Sequence, residues 1–382
     1  MADQYKVTSV TGFGTRIVDS IKGIGFGILL FLASFGVLYW NEGRVDLSQI
    51  AKSAIEVDSS KAAPAEANGK LVSTNGKITS TETLGDDLYL VPGKYLAQDR
   101  KVEMYAWVEK SSSKSTKNTG GSETTSTDYT YNKEWTSVPS DSGNFKVPEG
   151  HANPIKGIAD SRKTVATAKI GNLDLDMSNI ELPAFTAVMV NDTNIKVKDN
   201  AKISGNYVFV TGSASTGTVD QPQLGDMRIT YTAIKQDIDA TVFGKLDGSK
   251  LIPYVDAGKD NAKLYRIFTA GGTDAAIGQL SGEHNTMSWI LRAVGFLMMW
   301  FGLSALFGPI STLLDVLPFF GSLSRAMIGV VTFVVSLVLS IATILVSMIA
   351  HNIYAVIGTA VVLVVGSIVV LKMKGKKGAA TA

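Results

Sequence analysis

Hydrophobic residues concentrate in four long segments, one near the start of the chain and three near its end. About 20 apolar residues in a helix are enough to cross a bilayer, so each segment predicts a transmembrane helix. The long polar stretch after the first segment predicts a water-soluble domain. The predicted organisation is a cytoplasmic segment 1–22, helices 23–41, 288–308, 326–350 and 353–371, an extracytoplasmic or lumenal domain 42–287, a cytoplasmic interfacial or re-entrant loop 309–325, and a basic cytoplasmic tail 372–382.

The first apolar segment has two interpretations, a retained helix and a cleaved signal peptide. The basic residues before it fit both. Its end is the sequence Tyr39-Trp40-Asn41-Glu42, an aromatic pair followed by polar residues. Such a pair is typical of a membrane interface, whereas a cleavage site needs small residues. We therefore interpret this segment as a retained helix.

Lysine and arginine beside the helix ends predict the orientation, because cytoplasmic flanks carry an excess of them. The basic residues before the first helix and after the last are Lys6, Arg16, Lys22, Lys372, Lys374, Lys376 and Lys377. Four crossings put both ends of the chain on one side. Both termini are therefore predicted to be cytoplasmic and the polar domain extracytoplasmic.

The segment Pro309–Phe320 is too apolar for a solvated turn, so we predict an interfacial or re-entrant piece framed by prolines. Asp315 within it is either an ion or proton site or an interfacial carboxylate that caps a short helix or pairs with Arg325. The spans offer no second buried acid, which favours the second interpretation. Arg292 can extend its charge to the interface. The membrane-interface candidates are Trp40, Arg44, Arg292, Asp315, Phe319, Phe320 and Arg325.

The polar domain is rich in β-branched and aromatic residues between turn residues, and several runs alternate apolar and polar positions, which is typical of antiparallel strands. The predicted strands are Lys70–Ile78, Val102–Val108, Tyr129–Trp135, Tyr207–Val210, Met227–Ala233, Ala240–Phe243 and Leu264–Phe268. Short helices are predicted at Asp274–Leu280 and Asn153–Ala168, and a flexible hairpin tip or excursion at Ser111–Thr127. The fold class is an α+β membrane protein with four transmembrane helices and a mainly antiparallel β domain.

Composition excludes several kinds of chemistry. The chain has no cysteine and three histidines, and its net charge is +2. Thiol catalysis and disulfides are excluded, a histidine-rich metal centre is disfavoured, and no clustered basic face indicates a nucleic-acid partner. Asp86-Asp87 is either a calcium-binding pair or, as we favour, a solvated turn. His151 is interpreted as a hydrogen-bonding or exposed side chain. Because no nucleophile and base are visible together, we predict no catalytic, metal or cofactor-binding residues, and a hydrolase is disfavoured.

Aromatic residues in the domain are the best interaction candidates. Tyr105 and Trp107 lie on one predicted strand and Tyr131 and Trp135 on another. The simplest interpretation is cross-strand packing. The functional alternative is a surface for self-association or for a partner, because Tyr and Trp often anchor interfaces.

Short motifs along nearly the whole chain resemble those of one family. They are Phe31-Leu32-Ala33-Ser34-Phe35, Trp40-Asn41-Glu42-Gly43-Arg44, Val102-Glu103-Met104-Tyr105-Ala106-Trp107-Val108-Glu109, Tyr131-Asn132-Lys133-Glu134-Trp135, Gly150-His151-Ala152-Asn153-Pro154, Gly225-Asp226-Met227-Arg228 and Leu291-Arg292-Ala293-Val294-Gly295-Phe296. In this order, with one span before the domain and three after it, the sequence resembles the transmembrane protein 43 (LUMA) family.

The resemblance implies a multi-pass protein with a lumenal domain, which in animals lies in the endoplasmic reticulum and inner nuclear membranes. It also implies a role in organising membrane protein complexes, with self-association, rather than an enzymatic activity. The polar excursion, the lack of cysteine and the plain Gly/Ala/Lys tail are more similar to a bacterial relative. A bacterial inner membrane is therefore the expected location, with the two eukaryotic membranes as the alternative.

Two functions remain open. The first is a non-enzymatic scaffold that forms homo-oligomers and contacts membrane lipid and other membrane proteins. The second is an ion channel, or a channel modulator, built from the three C-terminal helices. Against a channel, the spans offer almost no polar lining.

Overall fold

The computed structural model describes residues 3–198, 200–213, 215–269 and 271–351, with the backbone alone at 318 and 320. The elements are β1 (Asp3–Thr11), α1 (Phe13–Glu42), α2 (Leu47–Ala51), β2 (Ile55–Asp58), β3 (Leu71–Thr79), β4 (Tyr95–Lys117), β5 (Glu123–Thr136), β6 (Ser161–Thr164), β7 (Thr167–Ile170), β8 (Leu173–Asp176), β9 (Thr186–Ala187), β10 (Ala201–Ser204), β11 (Tyr207–Val210), β12 (Met227–Lys235), β13 (Ile238–Asp247), β14 (Lys250–Ile252), β15 (Tyr254–Asp256), β16 (Ala262–Leu264), β17 (Arg266–Phe268), α3 (Thr273–Leu306), α4 (Gly308–Leu314) and α5 (Pro318–Ala350).

The chain forms two compact units. The first contains the residues up to Thr8, then Asp46–Lys114 and Ser126–Gly282. The second contains Ser9–Val45, Ser115–Thr125 and the described chain from Glu283 onward. The first unit is therefore β-rich, and the second is built from the apolar helices and the tip of the β4–β5 hairpin.

One sheet of the β-rich domain follows the order β1-β5-β4-β12-β11-β10, with β6 beside β4 and β9 beside β12. Its register pairs Ile229 with both Val102 and Val208. Along β12, Met227, Ile229, Tyr231 and Ala233 are buried, while the residues between them are half-buried. The alternation predicted from the sequence is confirmed here, because side chains of a strand point in turn to opposite faces.

The second sheet closes on itself. β3 pairs with β13 and β7, β7 with β8, β8 with β14, and β14 with β13, and the outer strands β2 and β17 extend the ring. Most of these pairs are antiparallel, and β2–β3 and β8–β14 are parallel. Val72, Ile78, Ile170, Leu175 and Val242 are buried in its core, as expected for strands that point one face inward.

Most predicted strands lie within observed ones, and Tyr207–Val210 has the predicted bounds. The helix predicted at Asn153–Ala168 is wrong. Pro154 and Gly157 disfavour a helix, and the chain there runs beside β4 before forming β6 and the start of β7. The Asn153 side chain accepts from the Trp107 N–H at 2.7 Å and donates to its carbonyl at 2.9 Å, which holds the segment extended.

Within the described residues, three helical stretches are long and apolar enough to cross a membrane: Phe13–Ala51, which comprises α1 and α2, Thr273–Leu306 and Gly321–Ala350. The larger part of each belongs to the second unit. The predicted fourth span 353–371 and the basic tail lie outside the described residues. The predicted segment 309–325 contains the short helix α4 and the start of α5.

Helices α1 and α3 approach closely at two glycines. A Cβ atom on Gly302 would lie 2.6 Å from the backbone nitrogen of Phe31 and 2.9 Å from the carbonyl oxygen of Gly27. A Cβ on Gly27 would lie 2.8 Å from that of Ala305. Small residues allow this packing between apolar helices, where the hydrophobic effect does not drive association within lipid.

The predicted excursion at Ser111–Thr127 is the tip of the β4–β5 hairpin, and the strands continue into it to Lys117 and from Glu123. Hydroxyl pairs join the two strands, with Ser113 and Thr127 at 2.8 Å and Ser115 and Thr125 also at 2.8 Å. The turn contains Gly120 and Gly121 with φ angles of 87° and 82°. Glycine adopts such angles readily, so this polar segment forms a regular hairpin rather than a loop.

Candidate functional site

The four predicted aromatic residues fall into two groups on the neighbouring strands β4 and β5. In the first group the Tyr105 and Trp135 rings lie 5.3 Å apart, centroid to centroid. Trp135 also meets the edge of Phe209 at 6.4 Å, and the Arg228 guanidinium lies 4.9 Å from its ring centre. Both Tyr105 and Trp135 remain half-buried. These contacts are cross-strand packing, and they leave part of each ring exposed.

The second group is centred on His151, which is 5% exposed. Its ring stacks on Tyr131 at 4.0 Å and meets Trp107 edge-on at 4.8 Å. Its Nδ1 lies 2.9 Å from the Val147 carbonyl oxygen, and its Nε2 lies 3.2 Å from a carboxylate oxygen of Asp3. Both partner atoms are hydrogen-bond acceptors, so each ring nitrogen of His151 faces an acceptor. The hydrogen-bonding role predicted for His151 is what the structure has.

Tyr131 is the buried member of the candidate set, with 1% of its surface exposed. Its hydroxyl donates to Glu109 at 2.7 Å and accepts from the Val147 N–H at 2.9 Å. Burial, together with the hydrogen bond to Glu109, raises the pKa of Tyr131 to about 12. The hydroxyl therefore stays protonated at neutral pH and acts as a structural donor. Of the four candidates, Tyr131 is the least accessible to a partner.

Asp315, at the end of α4, forms an ion cluster in the second unit. Its fully buried carboxylate accepts from Arg16 of α1 and from Arg325 of α5. A Cβ on Gly321 would overlap this carboxylate, so glycine is needed there. Burial acts to raise the pKa of Asp315, but the hydrogen bonds from Arg16 and Arg325 outweigh it and the pKa lies below its usual range. The predicted pairing with Arg325 is therefore present, and Asp315 is held as a carboxylate.

The hairpin tip belongs to the same cluster. Arg16 donates to the carbonyl of Gly121, and its Nε lies 3.1 Å from Glu123. Lys117 pairs with Glu123 from the facing strand. The sequence indicated Asp315 and Arg325, but it gave no signal for Arg16, Lys117 or Glu123 as partners, because these residues lie far apart along the chain.

Two contacts join residues that were predicted to lie on different sides of the membrane. Arg16 was placed in the cytoplasmic segment and Glu123 in the extracytoplasmic domain, yet they pair. Asp3 and His151 show the same combination within the β-rich unit. The assignment of sides stays a prediction, and these pairs provide a direct way to test it.

The remaining membrane-interface candidates lie near the other end of α1. The Arg292 guanidinium forms two bonds of 2.8 and 2.7 Å with the Glu42 carboxylate. The Arg44 guanidinium lies 6.0 Å from the ring of Trp40, which is 61% exposed. Arg292 thus has a carboxylate partner and does not rely on the interface alone.

Two further candidates come from the start of α5. Phe319 is 71% exposed, as expected for a ring that meets lipid or an interface. The Phe320 side chain lies outside the part of the chain that the structure describes.

Asp86 is not part of a solvated turn, contrary to the favoured prediction. Its side chain is fully buried, and one oxygen accepts from the N–H groups of Leu88, Tyr89 and Leu90 at 2.6 to 3.0 Å. The other accepts from Arg100 at 2.8 Å and from the Tyr231 hydroxyl at 2.6 Å. Five donors leave no room for calcium. Asp87 is exposed and pairs with Lys163. Across the described residues, no group of three or more His, Asp or Glu side chains is arranged to hold a metal.

These features define a class: a multi-span membrane protein with a β-rich domain inserted between its first and second apolar helices. Residues 104–353 match the family Transmembrane protein 43. The chain is 27% identical to transmembrane protein 43 of Mus musculus over 90% of this chain and 88% of the mouse protein. Identity to the Homo sapiens protein is 26%, over 89% and 87% of the two chains. The Drosophila melanogaster homolog is 27% identical over 73% of this chain and 75% of its own. No solved structure matches. The chain belongs to the transmembrane protein 43 family.

Proposed function

We propose that this protein is a non-enzymatic membrane scaffold that self-associates through the edge strand β1. The observation that carries the proposal is the position of β1 at the end of its sheet, where β5 is its single neighbour among the described residues. All of its residues are exposed except the half-buried Val7 and Thr11. A second copy of this chain can therefore reach the free side of the strand.

An edge strand offers unpaired backbone N–H and C=O groups to any strand that adds to it. Soluble proteins usually protect such edges with proline, charges or a covering element. β1 has nine residues without a proline, and it contains the exposed apolar side chains Tyr5 (46%) and Val10 (67%). Its charged residues, Asp3 and Lys6, each have a side-chain partner within the same chain. These properties favour strand addition, in which main-chain bonds give affinity and alternate side chains give specificity.

The half-buried rings of β4 and β5 support the proposal more weakly. Trp107 and Trp135 are held in fixed positions by ring contacts, and a rigid, partly exposed aromatic side chain loses little entropy on binding. Their substitution would also remove contacts within the domain. A test on β1 is therefore cleaner than alanine substitution of Trp107 and Trp135, which we expect to weaken assembly and folding together.

All hydroxyl groups of α5 except that of Ser336 bond to carbonyl groups of their own helix, which does not favour a channel. Thr332 donates to the Ile328 carbonyl at 2.7 Å, Thr343 to that of Leu339 at 2.7 Å, and Ser347 to that of Thr343 at 2.6 Å. A hydroxyl bonded to its own helix does not need water, so these residues provide no polar lining for a water-filled path. We therefore place the scaffold ahead of the channel.

Single cysteines in β1 test the proposal, because the chain has no cysteine of its own. Gln4, Lys6 and Thr8 share one face of the strand. Two copies paired antiparallel about a two-fold axis bring one such position opposite itself, within disulfide reach. We expect one of the three variants to form a covalent dimer on mild oxidation in membranes. Asp247→Cys, at the exposed end of β13, is the control.

The same variants are then analysed by native mass spectrometry in lipid nanodiscs. A dimer or larger complex, together with a crosslink at one β1 position above the Asp247→Cys level, supports the proposal. A monomeric mass for the unmodified protein and no excess crosslinking at any β1 position would show that β1 does not mediate self-association.

A further inference from the structure

A cavity of about 470 Å³ lies beside the Asp315 ion cluster in the second unit. This volume is typical of ligand sites. Three basic side chains line it, one each from α1, the hairpin tip and α5. They are Arg16, Lys117 and Arg325. Two acidic residues, Asp315 and Glu123, pair with these three basic residues, so the two acids alone do not account for all three cations at one cavity.

Charges around the cavity do not cancel. Arg16, Lys117 and Arg325 face the two carboxylates of Asp315 and Glu123, so the group has one more positive than negative charge. Asp315 is fully buried, whereas the side chain of Arg325 is 40% exposed. Arg325 gives one of its five N–H groups to Asp315, which leaves donors for another acceptor. The cavity therefore suits an anion.

The other walls are of two kinds. Ser304 and Ser311 contribute hydroxyl groups, and Phe301, Ala305 and Ile328 contribute apolar surface from the membrane helices α3 and α5. A small soluble anion would gain nothing from contact with the apolar wall, because it has no hydrocarbon to bury there. An amphipathic anion can place its charged group among the arginines and its hydrocarbon along the helices. Basic pockets between membrane helices bind lipid headgroups in this way.

We propose that this cavity binds the phosphate group of an anionic phospholipid, with Arg16, Lys117 and Arg325 as its charged partners. The bound lipid would bridge α1, α5 and the hairpin tip, so it would stabilise the second unit as well as occupy it. The proposal does not depend on self-association through β1.

Native mass spectrometry of the full-length protein tests the proposal. The protein is released from nanodiscs of phosphatidylglycerol or of phosphatidylcholine, and the lipids that remain bound are counted. We expect the unaltered protein to retain phosphatidylglycerol in preference to phosphatidylcholine. Lys117→Gln should weaken retention about five-fold, because each basic residue near the headgroups contributes roughly 1 kcal/mol. Lys117→Glu should weaken it further, and Lys117→Arg should restore it.

Lys22→Gln is the matched control, because Lys22 is 73% exposed on α1 and its contact is with Asp19 of the same helix. It should retain lipid as the unaltered protein does. Arg325→Gln provides a second test at the opposite wall, with its helix content checked by circular dichroism. Equal retention of the two lipids, or unchanged retention in both the Lys117 and Arg325 variants, would overturn the proposal. Full displacement of the lipid by millimolar inorganic phosphate would show that the cavity binds free phosphate rather than the phosphate group of a lipid.

Discussion

Replacing Asp86 with asparagine should destabilise the β-rich domain more than any other single polar substitution we consider. Asp86 satisfies five donors with one buried carboxylate. Asparagine has nearly the same shape, but one of its two oxygens becomes an NH2 group. Whichever way the amide turns, that group faces donors, either the backbone N–H groups of the turn or Arg100 and Tyr231.

The magnitude follows from the charge that is left behind. Arg100 is 11% exposed, and Asp86 is its ion-pair partner. Removing one partner of a buried ion pair costs about 3–5 kcal/mol, because the remaining charge stays buried. For a domain of this size, about 2–4 °C is lost for each kcal/mol. We therefore expect the midpoint of thermal unfolding to fall by roughly 6–20 °C.

The assay is thermal unfolding of the full-length protein in detergent, followed by tryptophan fluorescence at one scan rate. Asp87→Asn is the matched control: its side chain is 90% exposed and pairs with Lys163, so its effect should stay below about 1 kcal/mol. If Asp86→Asn and Asp87→Asn gave the same small shift, the carboxylate would not hold the domain together as the contacts indicate.

Acid provides an independent check on Asp86. Burial acts to raise its pKa, but the hydrogen bonds from Tyr231, Arg100 and the backbone outweigh burial, so its pKa is lowered on folding. A lowered folded-state pKa gives stability that is complete above the unfolded value of about 3.9 and is lost as pH falls through the folded value. The deficit of Asp86→Asn should therefore shrink in acid. A deficit that grew below pH 4 would contradict this sign.

Two further predictions concern the second unit and the sides of the membrane. Gly302→Leu should separate α1 from α3 and lower the midpoint of thermal unfolding in detergent, because overpacking costs about 1–3 kcal/mol. Gly25→Leu should have little effect, because a Cβ atom at Gly25 meets no other atom within 4 Å. Equal shifts for the two variants would contradict the close approach of the helices. The Lys6 Nζ and Asp128 Oδ1 atoms lie 3.7 Å apart. Single cysteines at these two positions should therefore react with a membrane-impermeant maleimide from the same side of sealed vesicles. Labelling from opposite sides would refute the contact.

Much of the fold followed from periodicity, and the exceptions have a common cause. Local signals identified β12 by its alternation and α5 by its apolar length, because each pattern lies within one element. The closure of the second sheet depends on β3 meeting both β13 and β7, which are distant in sequence. The extended run at Asn153 is held by its bonds to Trp107, a partner 46 residues away. Sequence patterns do not specify such partners.

The candidate sites show the same division. Asp315 stood out because a carboxylate in apolar surroundings is costly, and Arg325 lay close enough in sequence to be its expected partner. Arg16 is 299 residues from Asp315, and no periodic pattern connects them. Asp86 was misjudged for a related reason. Two adjacent acids are usually solvated, and burial of the first depends on Arg100 and on Tyr231, which is 145 residues away.

The contacts of the N-terminal segment constrain the orientation more strongly than its basic residues do. Hydrogen-bonded side chains cannot meet across a hydrocarbon layer of about 30 Å, so Asp3 and His151 must lie on one side of the membrane. Basic flanking residues predict that the N-terminus is cytoplasmic. However, β1 precedes α1 and the rest of the β-rich unit follows it, so this pair conflicts with a single crossing of the membrane by α1. Labelling at Lys6 and Asp128 therefore decides between the two: reaction from one side supports the contact, and reaction from opposite sides supports the crossing.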